Sequence, residues 1–344
     1  MTDAPDSATS VSADPILTVT DLSVRFPIRG AFGRNLGEIK ALDHVGFDLA
    51  QGEILGLVGE SGCGKSTLGK TLMGIQAPND GSISFKGQEI AGRTPREAKD
   101  LRRTLQYAYQ DPGASLDPRW KIGKSLEEPL IIHTDLPRAD RLEKVREILT
   151  AVGLPAGHTD LFPHEISGGQ QRRVGLARIL MLNPEVIILD EPTAGLDVSV
   201  QATVLRLFHD LRDTFDLTYI FISHDLSVVR LMCHRVAVMY LGRIVEIGPV
   251  DALMDSPKHP YTQSLLAAIP RINGPRVTEN FWLEGEPADA SKLPQGCRFQ
   301  GRCPHVQPLC QKLDPPDVQI GDQSVACHFA GELSPPTAKK RQTA

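Results

Sequence analysis

The stretch EILGLVGESGCGKSTLGKTLMGI, from Glu53 to Ile75, changes texture twice. EILGLVG is a short apolar run bounded by glycine, which reads as a buried strand. GESGCGKST, Gly59 to Thr67, follows the pattern glycine, four residues, glycine, lysine, serine or threonine. STLGKTLMGI then sets Leu68, Leu72 and Ile75 at helical spacing. A strand that enters a glycine-rich turn and leaves as a helix makes a phosphate cradle. Gly62 and Gly64 let the backbone wrap closely, and N–H groups point inward at the positive end of the helix. Lys65 is placed to neutralise β- and γ-phosphates, and Ser66 to ligate Mg²⁺. The candidate nucleotide-binding residues are Gly59, Glu60, Ser61, Gly62, Cys63, Gly64, Lys65, Ser66 and Thr67. Cys63 sits at a variable position and is expected to contribute backbone only.

The remaining sequence must house that loop. The chain has 344 residues, 41% hydrophobic and 23% charged, enough for two domains or for one large domain with an appendage. A net charge of −5 gives no electrostatic case for nucleic acid as a partner. The opening MTDAPDSATSVSADP has neither the basic nor the apolar region of a secretory leader, and no apolar run reaches the ~18 residues of a membrane helix. The expectation is a cytosolic chain with reduced thiols.

No internal repeat is visible. From Ile16 to about Gly248, short β-like runs alternate with helix-like stretches, which predicts an α/β core on a parallel sheet. VIILD (Val186 to Asp190) and TYIFIS (Thr218 to Ser223) read as buried strands, and LEKVREILTAV puts Leu142, Val145, Leu149 and Val152 on one helical face. After Gly248 proline becomes frequent. The expected divisions are a disordered tail over 1–15, a main domain over 16–254, a loop-rich C-terminal domain over 255–330 and a second disordered tail over 331–344.

Two further stretches narrow the chemistry. VIILDEP ends a hydrophobic strand on Asp190, an acid suited to hold Mg²⁺ through water, and Glu191 follows it, placed to polarise an attacking water. In ISGGQQRRVGLARILMLNP, Ser167 is a natural helix N-cap, and Val174, Ala177 and Met181 form a stripe that stops at Asn183-Pro184. Glycines in the first turn leave bare N–H groups suited to a γ-phosphate.

Here the chain resembles the ATP-binding cassette (ABC) family, whose signature motif is SGGQ upstream of LDEP. The resemblance implies a P-loop NTPase fold of the ABC ATPase type: a RecA-like parallel-sheet core, an antiparallel β subdomain and a helical subdomain, here about 111–182. Residue by residue, Gln110 in YAYQDPGASLDPRW matches the Q-loop, Asp197 in AGLD the D-loop and His224 in FISHDLS the switch histidine. Phe26 in LSVRFPI matches the aromatic that stacks on adenine. The D-loop departs from the commoner Ser-Ala-Leu-Asp but retains its aspartate. The resemblance implies Mg²⁺ held through Ser66, Gln110 and Asp190, and catalysis by Glu191, His224, Gln110 and Lys65. It also implies a head-to-tail dimer, in which Ser167, Gly168, Gly169, Gln170 and Asp197 meet ATP held by a second ABC ATPase subunit.

GESGCGKSTLGK, QDPGASLDPRWKIGKSLEEPL and HPYTQSLLAAIPR together look like the ATPase subunits of dipeptide and oligopeptide importers, and FPIRGAFGRNLGEIKALDHV like the second of the paired ATPases. That likeness spans Ile16 to about Phe329. It implies a heterodimeric partner ATPase, two transmembrane permease subunits, an extracytoplasmic solute-binding protein acting indirectly, and a peripheral position on the cytoplasmic face of the inner or plasma membrane. Cargo stays open among peptides, nickel, glutathione and opine-like solutes. A soluble ABC ATPase of DNA repair or ribosomes is the rival reading; such proteins carry paired modules or large insertions that are missing here. A regulatory module without turnover is opposed by Glu191 and His224.

Cys297, Cys303, Cys310 and Cys327 are separated by five, six and sixteen residues. Four soft ligands in a reduced compartment suit Zn²⁺ or an iron–sulfur cluster. The absence of C-x-x-C makes the spacing a poor zinc-ribbon match, and buried free thiols are equally open. The family resemblance implies a [4Fe–4S] cluster, with zinc as the alternative. Cys233 in LMCHRV reads as a small buried hydrophobe.

Overall fold

The computed structural model describes residues 15–30, 34–93, 98–110, 112–269 and 289–333. The two expected tails fall almost wholly outside them; Pro15 opens the first strand. The strands are β1 (Pro15–Arg29), β2 (Asn35–Ala50), β3 (Ile54–Val58), β4 (Asp80–Phe85), β5 (Gln88–Glu89) and β6 (Leu105–Ala108). They continue with β7 (Val186–Asp190), β8 (Thr218–Ile222), β9 (Arg235–Tyr240), β10 (Arg243–Pro249), β11 (Asp317–Ile320) and β12 (Gln323–Ala326). The helices begin with α1 (Lys65–Leu72), α2 (Ala98–Thr104), α3 (Ile122–His133), α4 (Arg138–Ala151) and α5 (Gly168–Leu180). After these come α6 (Val198–Phe215), α7 (Leu226–Met232), α8 (Val250–Asp255) and α9 (Pro260–Ala267).

These elements fall into two compact units. One contains Thr18–Asp48, Ile54–Gly92 and Ile222–Ala344. In it, β1, β2, β4 and β5 make a small sheet of order β2-β1-β4-β5, and β3 pairs parallel to β9. Every residue of β3 is buried, because a parallel strand is covered on both faces and its sequence is continuously apolar. Strand β10 runs antiparallel to β9 after a tight turn at Leu241-Gly242, where both residues have positive φ (45° and 79°). The C-terminal segment joins this sheet: β12 pairs antiparallel to β10, and β11 to β12. The stretch expected as a loop-rich domain is therefore hydrogen-bonded along a strand and grouped with the phosphate loop. Cys233 is buried, its Sγ beside the bare Cα of Gly56.

Helix α1 follows the loop directly, with Leu68 and Leu72 buried. The expected stripe included Ile75, which does not belong to it. The helix ends at Leu72, Gly74 turns the chain at φ 66°, and Ile75 is 54% exposed.

The second unit contains Leu49–Glu53 and Arg93–Phe221 besides the chain start. Its strands β6 and β7 are parallel, and β7 and β8 are buried runs with the bounds read from sequence to within a residue. Its helices α3, α4 and α5 pack on Leu126, Leu130, Val145, Leu149, Val174 and Ala177, all buried. Arg141 to Glu127 at 2.9 Å and Arg178 to Glu128 at 2.6 Å tie α4 and α5 to α3. Leu142, expected on the same face, is half-buried at its edge. Among the described residues no helix is long and apolar enough to cross a membrane.

Candidate nucleotide site

The phosphate loop is built as its residue types require. Gly59, Gly62 and Gly64 adopt φ values of 152°, 79° and 112°. Gly64 is the N-cap of α1 and brings no side chain, so no side-chain cap occupies the first N–H groups of the helix. Ser66 is exposed and Lys65 buried. The Lys65 Nζ donates to the carbonyls of Gly59 (2.7 Å) and Glu60 (3.0 Å). These are neutral acceptors that a triphosphate oxygen outbids for a lysine charge. Cys63, whose Sγ lies 3.6 Å from the Lys65 Nζ, is buried, and burial pushes its thiol pKa up against the pull of Lys65. Its carbonyl accepts from the N–H of Gly242 at 2.8 Å.

The same unit carries His224 and Phe26. His224 is exposed in the turn between β8 and α7. That turn is fixed on both sides: the Ser223 Oγ accepts from Asp225 N–H, and Asp225 caps α7 by accepting from Ser227 and Val228. Phe26 lies near the end of β1 and is 36% exposed.

The second unit carries Gln110, Asp190, Glu191, Asp197 and the residues Ser167 to Gln170. Asp190 ends β7, and the hydroxyl of Tyr107 on β6 donates to its Oδ2 at 2.5 Å. Sequence reading missed Tyr107; only strand pairing puts it beside Asp190. Glu191 has φ 49°, a left-handed conformation uncommon for a non-glycine residue, which turns the chain sharply off the strand. Gln110 is exposed after β6.

The tip of α5 is a capping box. Ser167 Oγ accepts from Gln170 N–H, and Gln170 Oε1 accepts from Ser167 N–H at 2.9 Å. A Cβ on Gly168 or Gly169 would meet nothing within 4 Å. The tip is thus rigid, bare of side chains and open. Asp197 is the N-cap of α6, accepting from Ser199 and Val200 N–H, and the Ser199 hydroxyl lowers its carboxyl pKa most. Sequence reading had given it only a contact across a dimer.

The four C-terminal cysteines line one cavity together with His305 and His328. Sequence reading grouped these four cysteines, and the cavity has all four in its lining. Among the described residues no group of three or more His, Cys, Asp or Glu is placed to hold a metal ion. Burial pushes Cys297 up to about 11 and Cys303 up to about 12, and raises Cys327.

A strand–cradle–helix, an acid-ended strand and a capped glycine tip coexist in one chain, and the comparisons agree. The ABC transporter model matches residues 42–194, and the model of the oligopeptide/dipeptide transporter C-terminal region matches 245–310. The oligopeptide transport ATP-binding protein AppF of Bacillus subtilis is 46% identical over 93% of this chain and 99% of its own length. The chain belongs to the ABC transporter ATP-binding subunits of the dipeptide/oligopeptide importer family. The dipeptide transport ATP-binding protein DppF of Escherichia coli is 45% identical over 91% of this chain and 94% of its own. Among solved structures, cbiO1 of Clostridium perfringens, part of an ABC transporter complex, aligns with a TM-score of 0.62 at 28% identity, over 71% of this chain and 92% of that one. This ABC subunit is an ATPase with the fold its motifs imply.

Proposed function

We propose that the chain powers uptake of di- and oligopeptides by hydrolysing ATP at sites shared with a second ABC ATPase subunit, on two membrane permeases at the cytoplasmic face of the membrane. The observation that carries the shared site is the tip of α5. A capped helix end with two side-chain-free residues in open space has little to do within its own chain and suits a phosphate presented by another. The peptide cargo rests on the names of the relatives, AppF and DppF among them. A solute-binding protein would deliver cargo to the permeases without touching this subunit.

In this reading residues 59–67 cradle the triphosphate, Lys65 neutralises the β- and γ-phosphates, and Phe26 stacks on adenine. Mg²⁺, held through Ser66, Gln110 and Asp190, would spread the charge of the phosphates. Glu191 orients the attacking water, His224 contacts the γ-phosphate, and Gln110 relays nucleotide state to the helical unit. The signature residues and Asp197 face the partner's nucleotide. Glu191→Gln in the assembled transporter should retain ATP and lose turnover. Hydrolysis undiminished in that variant would remove Glu191 from its role, and failure of the chain to co-purify with any permease would remove the transporter.

The cysteine set fits a metal in donor chemistry, four soft ligands on one cavity, although the side chains would have to close around it. Cys297, Cys303, Cys310 and Cys327 would hold a [4Fe–4S] cluster, crosslinking a proline-rich segment with little core of its own. Anaerobic purification should give a brown protein with iron and sulfide, lost in Cys303→Ser. A colourless protein with stoichiometric zinc would assign zinc instead.

A further inference from the structure

We propose that Arg302 and Tyr261, both in the C-terminal segment, are positioning residues that hold the phosphate loop in its ATP-binding shape. The proposal rests on the reading of residues 59–67 as the ATP cradle and adds residues outside every motif that identified it.

Three grips converge on Glu60, the second residue of the cradle. The Arg302 guanidinium makes a bidentate ion pair with its carboxylate, Nη1 to Oε2 at 2.8 Å and Nη2 to Oε1 at 3.0 Å. The Arg302 side chain is 7% exposed and that of Glu60 24%, so the pair is largely out of water and its geometry is fixed at both ends. The Tyr261 hydroxyl accepts from the Glu60 N–H at 3.0 Å. The Glu60 carbonyl is one of the two that accept from Lys65. Side chain, N–H and carbonyl are all engaged, and two of the three partners come from the far end of the sequence.

Those partners are themselves rigid. Tyr261 lies in the first turn of α9, where Pro260 occupies N1 and the His259 side chain caps the helix by accepting from Tyr261 N–H at 3.0 Å. This gives His259-Pro260-Tyr261 a physical division of labour: cap, helix start and reach to the loop. The Tyr261 ring packs against Tyr240 (centroids 4.6 Å apart) and Phe299 (5.5 Å), and the Arg302 guanidinium lies over Tyr240 at 6.0 Å. Arg298, one turn before Arg302, donates to the Leu241 carbonyl and to the Asp43 carboxylate, both buried contacts. The next residue, Gly242, donates to the carbonyl of Cys63. One turn between Cys297 and Cys303 therefore braces the cradle at two points, near its start through Glu60 directly and at its middle through Cys63 by way of Leu241-Gly242.

A segment fastened on merely to complete its own fold would not need its buried arginine on a loop residue whose backbone must present N–H groups to phosphate. Releasing Glu60 lets the loop sample shapes that cannot bind, and apparent affinity falls by the fraction that remains competent. The test is fluorescent-nucleotide titration of the full-length chain, with ATPase assays of the assembled transporter. Arg302→Met should weaken nucleotide binding about three- to tenfold and raise KM for ATP while leaving kcat within about twofold, since the reacting groups are untouched. Arg302→Lys, which keeps the charge without the fork, should fall between the two. Tyr261→Phe, which removes only the acceptor oxygen, should shift KM in the same direction. The double variant Glu60→Gln with Arg302→Met should be no weaker than Arg302→Met alone, because each removes the same pair. If Arg302→Met does not fold, Arg302→Lys and Tyr261→Phe carry the test. Nucleotide affinity within twofold of the parent in every folded variant overturns the positioning role, even if melting temperature drops. A parent chain that binds no nucleotide would instead overturn the reading of the loop itself.

Discussion

Gly62 and Gly64 stand two residues apart in one loop, and the structure makes their substitutions unequal. Both have positive φ, 79° and 112°. An alanine at Gly62 would find nothing within 4 Å of its Cβ, whereas at Gly64 the Cβ would lie 2.5 Å from the Ala41 carbonyl oxygen, a backbone atom that cannot swing aside. The shared conformational penalty is about 1–2 kcal/mol, partly offset by about 0.4–1 kcal/mol from the less flexible unfolded chain. Gly62→Ala should therefore destabilise by about 1 kcal/mol. Gly64→Ala adds overpacking of about 2 kcal/mol and reaches about 3. For compact bodies of this size the difference separates the melting temperatures by about 4–8 °C, readable by circular dichroism on the full chain. Function should sort the other way. In the proposed function the open space that spares the stability of Gly62→Ala is where phosphate would sit, so its nucleotide affinity should fall at least about tenfold, close to 1.4 kcal/mol, in a protein that melts almost normally. Equal melting temperatures for the two variants, or normal nucleotide binding by Gly62→Ala, would refute the description of the loop.

Other positions offer independent checks. Ser167→Ala removes one half of the capping box and should destabilise α5 by about 1 kcal/mol; Gly168→Leu should leave single-chain ATP affinity intact while lowering ATPase of the assembled transporter at least tenfold, seen by comparing titration with turnover. Tyr107→Phe deletes the donor to Asp190, and is expected to raise the Mg²⁺ concentration for half-maximal ATPase severalfold with a stability change near 1 kcal/mol. Asp197 has its carboxyl pKa lowered, first by the Ser199 hydroxyl and then by Val200 N–H. Its ionised cap therefore contributes in full above the ordinary aspartate value of about 3.9 and is lost as pH falls through the lower folded value. Melting temperatures of the parent and Asp197→Asn should keep a constant gap from pH 5 to 8 and diverge from that gap only below about pH 4.

What the sequence by itself determined lies within short reach of each residue. The apolar run before Gly59, the glycines, Lys65 and the helix after them describe one continuous piece of chain, so strand, cradle and α1 were legible together. Ser167 and Gln170 cap each other across three positions, and Val186 to Asp190 spell a buried strand in consecutive letters; local propensity and capping are encoded where they act. Even there the helical spacing ran past the Gly74 turn to Ile75, because periodicity carries no stop signal of its own.

Only tertiary closure decided the rest. Tyr261 and Arg302 reach Glu60 across 201 and 242 positions, and Tyr107 reaches Asp190 across 83. No periodicity marks a tyrosine or arginine whose partner arrives from another strand or turn. The segment beyond Gly248 read as a separate, loop-rich appendage, and its strand pairing could not be read from it for the same reason. Its β12 is four residues long, too short to declare itself, and it exists as a strand because the edge of β10 offers it hydrogen bonds.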